Sequence, residues 1–210
     1  MKTILVTGGS GFIGRNLCNR LAGTADEGSD YQLIVLSRNP EKAAKVLPQS
    51  VQTISDLKQL NQPIDVLINL AGEPIADRRW SDKRKATIIQ SRIQTTQALY
   101  DYFKQAHKPP SVVISGSAIG YYGGGIAKNQ PVTEEGAVEP NFSSQLCADW
   151  ESAAQQFEQL GSRACLLRTG IVLGQQGALS KLLPAFKLGL GGPIASGLQW
   201  MPWVHIEDMV

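Results

Sequence analysis

Residues 6–17 read VTGGSGFIGRNL, with glycine at 8, 9, 11 and 14 immediately before an apolar stretch. Gly8, Gly11 and Gly14 form G-x-x-G-x-x-G, and Gly9, Gly11 and Gly14 also satisfy G-x-G-x-x-G. Between a strand and a helix, this spacing binds a dinucleotide. Gly8 gives the tight turn, Gly11 admits a pyrophosphate to the backbone, Gly14 brings helix and sheet together, and the helix N-terminus favours the anion. The cofactor-binding residues are therefore Gly8, Gly9, Ser10, Gly11, Phe12, Ile13 and Gly14. An NAD site places a carboxylate on the ribose some ~20 residues later. Here the second strand ends in Ser37, Arg38 and Asn39. A forked guanidinium suits a 2′-phosphate, so NADP(H) is preferred and NAD(H) is second. The alternative for Arg38 is an ordinary exposed arginine. Asp56 follows the weak third strand and either accepts from the adenine amino group or caps a helix.

Other chemistry is harder to assemble. Ser117, His205 and Asp208 make a hydrolase triad on paper, but SGSAIG is not a G-x-S-x-G elbow and the chain order departs from that fold's Ser, Asp, His. Cys18, Cys147 and Cys165 lie far apart in apolar stretches and read as buried, reduced thiols; with only His107 and His205 beside them, no metal spacing can be drawn. Lys plus Arg is 20 against 18 Asp plus Glu, scattered apart from a cluster over Arg78–Lys85, which argues against a nucleic-acid partner. The absence of a signal peptide or membrane-length apolar run argues for a cytoplasmic protein.

The elements that must position these residues follow from the apolar pattern. Continuous apolar runs at 2–7, 32–37, 65–71, 111–117 and 163–169, with a weaker one at 51–55, read as strands covered on both faces. Helical segments lie between them at 12–21, 40–47, 81–105 and 143–160, with Asn39 as cap and Pro40 in the first turn of the second. The fold class is α/β, a doubly wound Rossmann fold with a parallel sheet in one domain over residues 1–210. Irregular stretches at 72–80 and 118–142 follow the fourth and fifth strands, at the carboxyl ends where such sheets bind ligands. The terminal WVHIEDMV reads as a strand running into a helix start, so the C-terminal substrate-binding part is expected to be truncated.

The segments TGGSGFIG, NLAG, ISGSAIGYYG, LLRTGIVLG and WVHIEDMV resemble the extended short-chain dehydrogenase/reductase superfamily. INLAGEPIADRRW, LCADWE and GLGGPI narrow the resemblance to the atypical epimerase-like branch that includes the bacterial YfcH-type proteins. The resemblance implies an NADP-type dinucleotide, with Leu70, Ala71 and Gly72 on the adenosine side and Thr169, Gly170 and Val172 near the nicotinamide. It also implies that Ser117 polarises the substrate oxygen. The usual tyrosine and lysine, which work together because a nearby ammonium stabilises phenolate, are replaced by Ser143 and Cys147. Tyr121 and Tyr122 are the substitute candidates, for proton transfer or for substrate lining. Glu73, Arg78, Arg79 and Trp80 either bind a polar substrate or form an exposed helix start, and His205 with Asp208 matches the family's terminal H-x-x-D, near the cleft. Glu134 and Glu135 are expected on the loop surface.

Two functions follow. One is an NADP-dependent oxidoreductase or epimerase-like enzyme acting on a small molecule. The other is an NADPH-binding regulator without turnover, since relatives in plastids and cyanobacteria have been linked to division. A homodimer through the helices at 81–105 and 143–160 fits the superfamily.

Overall fold

The computed structural model describes residues 1–25, 31–75, 77–123, 131–193 and 196–210. Six strands form one parallel sheet: β1 (Lys2–Thr7), β2 (Tyr31–Leu36), β3 (Gln52–Ile54), β4 (Val66–Asn69), β5 (Val112–Ala118) and β6 (Arg163–Thr169). Their order is β3-β2-β1-β4-β5-β6, with Thr7 level with Leu36 on one side and Asn69 on the other. The order reverses at β1, so β2 and β4 flank the strand that delivers the glycine loop.

Successive β1 side chains enter different layers, as strand geometry requires. Ile4 and Val6 pack with Cys18 and Ala22 of α1 (Phe12–Ala25), and with Ala43 of α2 (Pro40–Ala44). Leu5 faces the opposite layer, where Leu99, Tyr100 and Phe103 of α4 (Thr95–Ala106) meet Leu67, Val113 and Phe157. The sheet is thus sandwiched by helices, the doubly wound Rossmann arrangement. The edge strand β6 is the exception to coverage on both faces: none of its residues is fully buried, and Leu167 is well exposed.

The helix expected at 81–105 is divided into α3 (Asp82–Ile89), one π turn (Gln90–Gln94) and α4. Arg92 lies buried in that wider turn, the kind of local departure from the α-helix that recurs at functional sites. Asn39 caps α2 by accepting from the Lys42 amide, but the helix stops at Ala44 rather than Leu47. The segment expected as 143–160 is α5 (Phe142–Gln155), which tightens into a 3₁₀ turn and closes on left-handed Gly161. Two elements were not expected from sequence: β7 (Ile171–Leu173), paired in parallel with β8 (Trp203–His205), and α6 (Ala178–Lys187). A final turn, α7 (Ile206–Met209), follows β8. Part of the loop at 118–142, residues 124–130, lies outside the described residues. Cys18 and Cys147 are buried free thiols, whereas Cys165 is half-buried. Among the described residues, no helix is long and apolar enough to cross a membrane, and no group of three or more His, Cys, Asp or Glu could hold a metal.

Candidate nucleotide and catalytic site

The glycine loop closes on itself where β1 ends. Gly8 adopts φ +70°, the Gly11 amide donates to the Gly8 carbonyl at 2.9 Å, and the Arg15 amide donates to the Gly11 carbonyl at 2.9 Å. A Cβ at Gly8 would sit 2.5 Å from the Leu70 carbonyl oxygen, and one at Gly14 would sit 2.4 Å from that of Gly8. At Gly11 an added Cβ would meet only the Gly8 oxygen, at 3.1 Å, and otherwise enter open space. The loop is therefore tight against the sheet and open in front of Gly11, which fits an incoming pyrophosphate. Ser10 is exposed, and Phe12 and Ile13 begin α1. Beneath the loop, buried Thr7 donates to Asn69 Oδ1 at 2.6 Å, Asn69 Nδ2 donates to Thr96 Oγ1 at 2.8 Å, and the Ala71 amide donates to Thr7 Oγ1 at 3.2 Å. This chain fixes Leu70, Ala71 and Gly72 beside the glycines.

The rim over β1 is built from arginines. Arg38, after β2, leaves its side chain 92% exposed while its tip donates to Glu73 Oε1 at 3.1 Å, in the loop after β4. Arg84 of α3 reaches the other carboxylate oxygen at 3.3 Å, and the Glu73 carbonyl accepts from Arg92 at 3.1 Å. The Arg38 hydrogen bond, with help from Arg84, holds the Glu73 carboxyl below its ordinary range. Ser37 Oγ bonds the backbone of Asn39, and Asn39 caps α2. Asp56 caps the short turn Leu57–Gln59 in a reciprocal box with Gln59, which is the helix-cap alternative of its two readings. Arg79 is exposed, and Trp80 donates from its ring to the Ile75 carbonyl and packs edge-on to Phe142.

Ser117 lies two strands away at the same edge. Ser117, buried at the end of β5, donates to Glu151 Oε1 of α5 at 2.5 Å. Glu151 is equally buried and is gripped by Arg168 of β6, whose Nε and Nη2 each donate to one carboxylate oxygen at 2.8 Å. The same guanidinium donates to the Tyr122 hydroxyl at 2.9 Å and to the Glu134 carbonyl at 2.6 Å, and lies 3.5 Å from the Tyr121 ring centroid. The carboxylate bond raises the Arg168 pKa further, so its charge is permanent. Sequence reasoning missed Glu151 and Arg168; Arg168 was signalled by its place inside the apolar run of β6, whereas Glu151 stands among other polar residues of α5.

The positions of the missing dyad are also resolved. Ser143 Oγ donates to Oδ1 of the α5 cap Asn141 at 2.8 Å. Cys147 is buried beside Ser117 and the Ala118 backbone, and burial pushes its thiol above the ordinary range. Arg92 lies near this thiol and over Trp150, 5.2 Å from the ring. Thr169 ends β6 and Val172 sits in β7, while Gly170 allows the Pro202 carbonyl within 2.6 Å of where a Cβ would stand. His205 caps α7 through Nδ1, with the Glu207 amide as donor at 3.4 Å. Glu134 and Glu135 are exposed.

Known proteins are similar to this chain in sequence and fold. The chain is 37% identical over 217 residues to an epimerase family protein of Staphylococcus aureus (strain MRSA252), spanning 100% of this chain and 69% of that one. It is 34% identical to the chloroplastic epimerase family protein SDR39U1 homolog of Arabidopsis thaliana, over 99% of this chain and 60% of that one. The crystal structure of human epimerase family protein SDR39U1 (isoform 2) with NADPH superposes with a TM-score of 0.81 at 33% identity, over 98% of this chain and 66% of that one. The model of the NAD dependent epimerase/dehydratase family matches residues 4–210. A match of that extent, on a sheet ordered as the glycine loop requires, makes the chain a member of this family.

Proposed function

We propose that the chain binds NADP(H) along the carboxyl edge of the sheet and acts as an oxidoreductase or epimerase-like enzyme on a small hydroxyl or carbonyl compound held at Ser117. The observation that carries the reading is the buried bond from Ser117 to Glu151, supported by the open face of Gly11 and by the NADPH in the human relative's structure. A bound nicotinamide supplies the hydride acceptor or donor. The remaining chemistry is a proton's path, and the chain's own residues provide it. Because the Ser117 hydrogen is committed to Glu151, its oxygen accepts from a substrate hydroxyl in place of the Cys147 thiol beside it. As the substrate oxygen gives its proton to Ser117 Oγ, the Ser117 hydrogen passes to Glu151, and reduction runs the same path backwards. Arg168 holds the carboxylate in place, and Tyr121 and Tyr122 line the approach. Arg38 selects the 2′-phosphate. Supplying deuterated NADPH and a metabolite pool to the protein tests the reading: label should move into a product, and Ser117→Ala should abolish the transfer.

One observation favours a second reading. Ser143 and Cys147 occupy the dyad positions, and the Arg168 guanidinium grips both oxygens of Glu151, which weakens it as a proton acceptor. On this reading the protein binds NADPH without turnover and reports its level to a partner. Label that stays on the cofactor across many pools, with partner capture that depends on NADPH, would establish it.

A further inference from the structure

Glu73 lies in the loop after β4 and Arg38 after β2, and those strands flank β1. Their ion pair therefore borders the crevice in front of the glycine loop, after β2, where such folds place the ribose 2′ position. Arg38 is held lightly there: its side chain is 92% exposed and one terminal nitrogen donates to Glu73. Three guanidinium groups converge on Glu73: Arg38 and Arg84 hold its two carboxylate oxygens and Arg92 holds its carbonyl, while nearby Asp77 is paired with Lys181. That leaves a local surplus of positive charge, which suits a group carrying more negative charge than one carboxylate.

We infer that Glu73 is an internal stand-in for the 2′-phosphate: it holds one end of the Arg38 guanidinium in the free protein, and NADPH binds by displacing it. Glu73 thereby sets a threshold on nucleotide affinity and narrows the advantage of NADPH over NADH. NADH has no group to offer Arg38 and leaves the pair intact. This rests on the nucleotide reading above and adds the competing anion.

The test is calorimetric titration of NADPH and NADH into the wild type, Glu73→Gln, Arg38→Gln and the double variant, with thermal melts to verify folding and Glu73→Ala as a second variant. An exposed ion pair is weak, so Glu73→Gln is expected to tighten NADPH binding by roughly three- to five-fold. NADH binding should change by less than about two-fold, and the gain should vanish in the Arg38→Gln background, because a double-mutant cycle isolates the pair. Unchanged or weaker NADPH binding in Glu73→Gln would overturn the inference, since Glu73 would then be neutral or a ligand contact. Equal tightening of both nucleotides, or a gain that survives Arg38→Gln, would overturn it too. In all those cases a wild type that binds NADPH leaves the nucleotide reading standing, whereas a wild type that binds neither nucleotide ends both.

Discussion

A methyl group added at Gly14 would lie 2.4 Å from the Gly8 carbonyl oxygen, whereas one added at Gly11 would point into open space beyond a 3.1 Å contact. Gly14→Ala is therefore expected to destabilise the fold by about 1–3 kcal/mol as an overpacking change, read as a lower melting temperature. Gly11→Ala should melt near the wild type yet lose NADPH affinity at least ~10-fold, because its methyl blocks the amides a pyrophosphate needs. Glu151→Ala tests the other end of the site. It strands the Arg168 charge, and since that side chain keeps some solvent contact, the cost should fall near the lower end of the buried-pair range, about 3 kcal/mol in urea unfolding. The glycines were legible because their reason is local, a turn followed at once by a helix. Glu151 and Arg168 were not, because their partners lie 34 and 17 residues away and only the folded sheet brings them together.

Helix α1 shows how an element turns one side chain into a pH effect. Cys18 faces the sheet with no exposure, and burial pushes its thiol from an ordinary 9.0 to about 11. Below pH 9 the thiol is neutral in both folded and unfolded chains. Between 9 and 11 only the unfolded chain ionises, so stability falls as pH rises, by up to roughly 2–3 kcal/mol at one proton per molecule. Urea midpoints at pH 8 and pH 11 should therefore drop less in Cys18→Ala than in the wild type. Strands β1, β2, β4 and β5 were readable as unbroken apolar runs because helices cover both faces. The elements missed had weak local signals: β7 has three residues, and α6 carries Pro184 inside it. The π turn had no local signal, and Arg92, which it buries, meets Glu73 and Trp150 from other elements.

For the molecule as a whole, the strand order gathers the glycine loop, the arginine rim and Ser117 at one edge, and the alternation of strand and helix in the sequence was enough to foresee that edge. The segment after β7 has a different character. Leu188, Leu190, Leu198, Trp200 and Trp203 are between 65% and 86% exposed, a concentration of apolar side chains that drives association. The 210-residue chain is expected to self-associate as its concentration rises in sedimentation velocity. Leu190→Ser with Trp200→Ser should suppress this without lowering the melting temperature. This segment is tied back to the cofactor loop through Phe12, whose ring lies 2.8 Å from where a Cβ at Gly174 would stand and 3.1 Å from one at Gly177. Phe12 directly follows Gly11, so a nucleotide that stills the loop also stills the ring against which α6 begins. Trypsin cleavage at Lys181 and Lys187 becomes a reporter of occupancy at a distance: NADPH should slow it several-fold, and Phe12→Ala should leave the cutting rate indifferent to nucleotide.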